Sequence, residues 1–132
     1  MYDLPLTGGC LCGDLRYAVS AVPTWVGHCH CSLCRRAGGA LYVTWFTVPA
    51  HALAMVQGSP TRFASSERAV RQHCARCGTQ LTFQLNAKPE VFDVTVGSLD
   101  RPGVLMPQEH LFWKSRVPGL EMPDGLHRRE DA

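Results

Sequence analysis

The 132-residue sequence predicts a small, mostly β domain that carries metal-binding knuckles and few short helices. Three observations predict it. Segments of alternating residues, or of β-branched and aromatic residues, recur along the chain. Helix-like stretches are short and stop at glycine or proline signals. All seven cysteines fall into three tight groups, and none lies outside them.

The strand segments follow in chain order. "DLRYAVS" alternates directly after the first cysteine group. "ALYVTWFTV" places Leu41, Val43 and Trp45 on one face and Tyr42, Thr44 and Phe46 on the other. "TRFAS", "AVRQHC", "QLTFQL" and "VFDVTVGSL" read as further short strands divided by Gly, Pro, Ser or Asn, and "EHLFWKS" reads as a late one. Two short helices are predicted. "SLCRRA" is stopped by Gly38 and Gly39, and "PAHAL" has Pro49 suited to a first turn. The tail "LEMPDGLHRREDA" is polar, with Pro and Gly, and is expected to be irregular. No repeat, low-complexity tract or linker divides residues 1–132, so one domain is expected.

Composition narrows the function. Hydrophobic residues make up 45% and charged residues 18%, as in ordinary globular proteins. A net charge of +2 and scattered arginines give no phosphate-tracking surface, so no nucleic-acid partner is expected. No apolar run is long enough to span a bilayer, so no membrane association is expected. "MYDLPLTGGC" has no basic region followed by an apolar one, so a cytoplasmic location is expected, where thiols stay reduced. Seven cysteines at short spacing then point to metal rather than disulfides.

Cys10 and Cys12 form the first group, Cys29, Cys31 and Cys34 the second, and Cys74 and Cys77 the third. Cys12 is followed by Gly13 and Cys77 by Gly78, whereas Cys34 is followed by Arg35. A zinc knuckle turns sharply after its second cysteine, and glycine accepts that turn. The outer groups therefore read as halves of one closed four-thiolate site. The middle group offers three corners of a tetrahedron. Either its fourth position is exchangeable, as in a catalytic zinc, or a histidine closes it: His28, His30, His73 or His110. Trp25, Trp45 and Trp113 are expected in the core or a pocket wall. No carboxylate pair stands out around Asp93 and Asp100, which argues against glycosidase-type hydrolysis.

"GGCLCGDLRY", "HCHCSLCRRAGGA", "CARCGTQL", "VGSLD" and "PQEHLFW" occur in that order between about Thr7 and Pro118. Together they resemble the glutathione-dependent formaldehyde-activating enzyme family, whose domain also occurs in centromere protein V. The resemblance implies a twisted, tent-like antiparallel β fold with two zinc ions per chain. It assigns Cys10, Cys12, Cys74 and Cys77 to a structural zinc and Cys29, Cys31 and Cys34 to a catalytic zinc. The activity it implies is that of a carbon–sulfur lyase: glutathione and formaldehyde combine to S-hydroxymethylglutathione, or the adduct is cleaved in reverse. A small-molecule thiol such as glutathione is the implied partner.

The expected chemistry needs the substrate thiol to lose its proton, attack formaldehyde, and leave an alkoxide that is protonated. His28, His30, His110 and Glu109 are the acid–base candidates. Arg35 and Arg36 follow the open site and are candidates to clamp a glutathione carboxylate. Their alternative role is a solvated helix end, where cations favour the dipole. Three other readings compete: a non-catalytic zinc-stabilised binding module, a related enzyme using another thiol or aldehyde, and a thiol redox protein.

Overall fold

In the computed structural model, which describes residues 2–132, two sheets face each other across the main core. The smaller sheet holds β1 (Leu6–Gly9), β2 (Arg16–Val19) and β5 (Leu53–Gln57), in the order β1-β2-β5. The larger holds β3 (Trp25–Cys29), β4 (Val43–Pro49), β6 (Thr61–Ala64), β7 (Ala69–His73), β8 (Gln80–Leu85), β9 (Val91–Thr95), β10 (Glu109–Leu111) and β11 (His127–Arg128). Its order is β11-β10-β3-β4-β9-β8-β7-β6. The one α-helix among the described residues, α1 (Ser32–Gly38), follows β3 and is capped by Gly39.

The alternation in "VTWFTV" explains why the large sheet is buried on both faces. Phe46 and Val48 join Val26 and Val94 in the main core, packed with Leu6, Leu15, Tyr17 and Val19 of the small sheet's segments. Trp45 points the other way, into a second cluster with Cys29 and Cys34, against which Trp25, Val43, Phe83 and Phe112 pack. The two predicted faces hold, but the strand starts at Val43 and leaves Leu41 52% exposed before it.

Several expectations are corrected. The large sheet is mixed rather than antiparallel, because β10 runs parallel to both β3 and β11. "EHLFWKS" is a strand only to Leu111; Phe112 adopts φ 54 and a 3-10 turn follows at Trp113–Ser115. "PAHAL" forms a single 3-10 turn, Ala50–Ala52, too short to satisfy α-helical hydrogen bonds. The tail is not wholly irregular: its segment His127–Arg128 is the outermost strand of the large sheet. Glycines hid β1 and β3 from pattern reading, and β5 begins inside the segment "PAHAL" expected as a helix.

Candidate metal centres

The first cysteine group lies in the turn between β1 and β2, and the third in the turn between β7 and β8. Each turn is a knuckle closed by a glycine, Cys-x-Cys in the first and Cys-x-x-Cys in the third. The Gly13 N–H donates to the Cys10 carbonyl, and the Gly78 N–H to the Cys74 carbonyl. Both glycines have positive φ, 86° and 79°, which a side chain would strain. Backbone N–H groups point at the sulfurs: Leu15 N–H to Cys10 Sγ at 3.2 Å and Cys77 N–H to Cys74 Sγ at 3.4 Å. The knuckles meet although their sequences are far apart. Cys10 and Cys12 sulfurs are 3.6 Å apart, and Cys12 and Cys74 sulfurs 3.8 Å. A tetrahedron with Zn–S bonds of about 2.3 Å has edges of about 3.8 Å, so the four thiols fit a zinc ion. Without a cation their charges compete. The Cys12 thiol is pushed up to about 12, where the Asp14 backbone hydrogen bond is outweighed by burial and neighbouring sulfurs. Cys77 is held down to about 5, chiefly by hydrogen bonds from Thr79.

The middle group straddles the end of β3 and the start of α1. Cys29 closes the strand, Cys31 caps the helix by accepting from the Cys34 N–H at 3.2 Å, and Cys34 is buried one turn on. The three sulfurs all lie within 4.8 Å of one another, and the cluster contains no histidine. Three corners of a tetrahedron are therefore in place without a fourth protein thiolate. Contacts with Cys29 and Cys34, aided by the helix N–H groups, hold the Cys31 thiol far below its usual range. The same neighbours and burial push Cys29 far up. Against the pull of Cys29, Cys31 and burial raise Cys34 as well, so a cation at the cluster would favour ionising all three.

Register divides the remaining candidates between the two faces. Adjacent strands hold partner residues on the same side, so Glu109, paired with Gly27, shares the face of Cys29. The Trp25 ring lies over Gly27, where a Cβ would sit 2.3 Å from it. The indole Nε1 donates to Glu109 Oε1 at 2.8 Å. His28 and His110 pair on the opposite face, with ring centroids 4.9 Å apart. His30 turns to the same side: its Nε2 is 2.8 Å from His110 Nδ1, and its ring meets Tyr42 and Trp113. These three histidines, candidate bases from sequence, are thus carried away from the cysteines by strand alternation. His73 lies on β7, also outside the cluster.

The histidines do something that the sequence did not show. His110, fully buried, links His30 to Asp124 of the tail, its Nε2 2.8 Å from Asp124 Oδ2. Asp124 in turn accepts from the Leu126 N–H and from Arg128, whose guanidinium stacks on Trp113 4.5 Å from the ring centre. His28 Nδ1 is held 2.8 Å from Thr44 Oγ1. His28, His110 and Asp124 lie close enough to suggest a further metal group. Asp124 is already satisfied by protein donors, however, and the arrangement works as a hydrogen-bonded clasp on the tail. Burial and the neighbouring His110 hold His30 down to about 4, so it is neutral at pH 7.

Arg35 and Arg36 sit in the last turn of α1 and line an open depression of about 420 Å³ with Gly39, Ala40 and Leu41. Sequence reading overlooked Arg71. This 7% exposed arginine on β7 donates from Nη2 to Cys34 Sγ at 3.5 Å and from Nη1 to Gln80 Oε1 at 2.7 Å. Its signal was an arginine in phase with Ala69, on the buried side of "AVRQH".

Among the described residues, no helix is long and apolar enough to cross a membrane. Residues 5–115 match the sequence profile described as glutathione-dependent formaldehyde-activating enzyme. Among solved structures, a crystal structure of a Rhodobacter sphaeroides protein is similar, with 22% identity and a TM-score of 0.59. The match covers 93% of this chain and 98% of that one. At that identity the likeness concerns the fold.

Proposed function

Because the chain belongs to the glutathione-dependent formaldehyde-activating enzyme family, we propose that it is a two-zinc enzyme that interconverts a thiol, an aldehyde and their adduct. Glutathione and formaldehyde are the proposed pair, which makes it a lyase of carbon–sulfur bonds in the reverse direction. The observation that carries the reading is the pair of unequal cysteine clusters: four sulfurs closed on themselves, and three with no fourth protein ligand. Cys10, Cys12, Cys74 and Cys77 would hold a structural zinc, and Cys29, Cys31 and Cys34 a zinc with one exchangeable position. When bound there, zinc supplies a means of ionising and holding a substrate thiol at neutral pH.

The chain's own residues do the rest. Cys31, at the helix cap, and Cys29, at the strand end, fix two corners on rigid elements, while Cys34 is held from α1. Trp25, Trp45 and Phe112 form an apolar wall around them, which limits water beside the reacting thiol. Glu109 is the one of the four acid–base candidates on this face, its carboxylate anchored by Trp25. In this reading Glu109, whose Oε2 lies 3.4 Å from Arg129 Nε, exchanges the proton that the thiol loses and the alkoxide gains. Arg35 and Arg36 present guanidinium forks to the carboxylates of glutathione beside α1.

The test is exchange NMR on a glutathione–formaldehyde mixture, with zinc-loaded protein and with Cys31→Ser. The two reactants combine without a catalyst, so the readout is acceleration. Faster exchange with the wild type alone is expected. No acceleration by folded, zinc-replete wild type would refute the proposed reaction and turn the search to other thiol adducts.

A further inference from the structure

On the cysteine face of the large sheet, one cation is buried without an anionic side chain to meet it. Arg71 is 7% exposed. Among the described residues it forms no ion pair with a carboxylate. Its guanidinium carbon lies 4.9 Å from the Phe83 ring centre and 5.9 Å from that of Trp45. Its hydrogen bonds go to a neutral amide oxygen, Gln80 Oε1, and to Cys34 Sγ. A guanidinium stays charged, and burying one unpaired is costly. Aromatic faces and an amide oxygen offset part of that cost. The sulfur is the one partner able to carry a full negative charge.

The charge count on the metal side is complementary. Three thiolates on a divalent ion leave one net negative charge, and a substrate thiolate in the fourth position leaves two. Arg36, in the same helix as Cys34, is exposed to solvent, which screens its charge. Arg71 reaches the charge at the sulfurs from inside the core. We propose that Arg71 is the built-in counter-cation of the three-cysteine centre. It offsets the charge that the thiolates leave on the ion and anchors Cys34 as a permanent ligand, so that the ligand that exchanges is the substrate. The proposal rests on the reading that a metal binds at these cysteines, but not on which thiol or aldehyde reacts. Arg71 acts through Cys34 and is a positioning residue.

The test uses metal binding and spectroscopy without substrate. Wild type, Arg71→Met and Arg71→Lys are loaded with cobalt(II), and the metal is withdrawn with a competing chelator. The four-cysteine site serves as the internal reference. Methionine keeps an apolar stem against Phe83 and Trp45 without the charge, and lysine keeps the charge. Arg71→Met is expected to weaken the three-cysteine site about 10- to 100-fold, the usual cost of losing a partner to a metal ligand. Its thiolate-to-cobalt absorption should move to lower energy, because Cys34 loses a donor. Arg71→Lys should recover most of the affinity, and the four-cysteine site should be unchanged in both. Affinity and absorption in Arg71→Met equal to wild type would overturn the proposal. So would an equal loss in Met and Lys, which would mean that shape rather than charge matters. Should Arg71→Met not fold, Arg71→Gln replaces it under the same criteria. A wild-type chain that takes up metal at four cysteines only would overturn both this proposal and the reading of an open zinc site. Normal metal binding without acceleration of the glutathione reaction would leave the role of Arg71 standing.

Discussion

Replacing Cys12 and Cys77 together by serine removes one ligand from each knuckle. Both are partly exposed, whereas Cys10 and Cys74 are buried, so the double substitution opens no core cavity. A metal held by both knuckles would tie chain positions 62 residues apart, from Cys12 to Cys74. If it acts as a cross-link, chain entropy for a loop of that length gives about 4 kcal/mol of stabilisation. That is a large share of the roughly 5–15 kcal/mol by which domains are stable. With an unfolding entropy of about 2 cal/mol/K per residue, the melting temperature should fall by about 15 °C. The assay is thermal unfolding by circular dichroism alongside zinc content. Chelation of the wild type should reproduce the fall, and added zinc should not rescue the double variant. A loss of one zinc with a melting temperature within about 3 °C of wild type would refute the reasoning. The knuckles would then be held by packing around Leu15 and Leu99 rather than by metal.

Three further outcomes are expected. Cys29 is raised in the metal-free protein and so protonated at neutral pH; metal must displace that proton. Cys34 is raised as well, so two protons leave, and apparent affinity at the three-cysteine site should rise about a hundredfold per pH unit between pH 6 and 8; a flat profile in chelator competition would contradict it. Asp124→Asn should loosen the clasp at His110 and speed amide hydrogen exchange at Phe112 and Trp113, which donate to Asp131 and Arg129 of the tail. Unchanged protection there would show that the strand pairing and the Arg128–Trp113 stack hold the tail without the clasp. Gly27→Ala puts a Cβ into the Trp25 ring and should swing the indole off Glu109, visible as a shift in tryptophan emission; an unaltered spectrum would mean that the ring relaxes in place.

The grouping of the cysteines into two clusters was legible because its signals are local. The positive φ at Gly13 and Gly78 is the turn that the glycines implied, and the two faces of β4 follow from alternation alone. What was missed depends on pairing between distant segments. Nothing near His30 announces His110, 80 residues later, because their contact is made by the parallel register of β10 on β3. That register also decides which face each candidate base occupies, and so separates Glu109 from the histidines. Arg71 was legible in principle as a charge in phase with buried Ala69, but only the fold shows that Cys34 is what it meets. The tail read as frayed because its composition is polar. A buried histidine and a stacked arginine hold it instead of apolar contacts.

The two cysteine clusters differ in how far along the chain they must reach. Cys29, Cys31 and Cys34 lie in one short segment, so an unfolded chain already presents them at high effective concentration. The other four meet only when the β1–β2 and β7–β8 turns have been brought together. Metal uptake would therefore be ordered by chain geometry: a chain emerging from the ribosome could capture an ion at the short cluster before the long one exists. Under scarce metal, the centre proposed for chemistry would be supplied ahead of the one proposed for architecture.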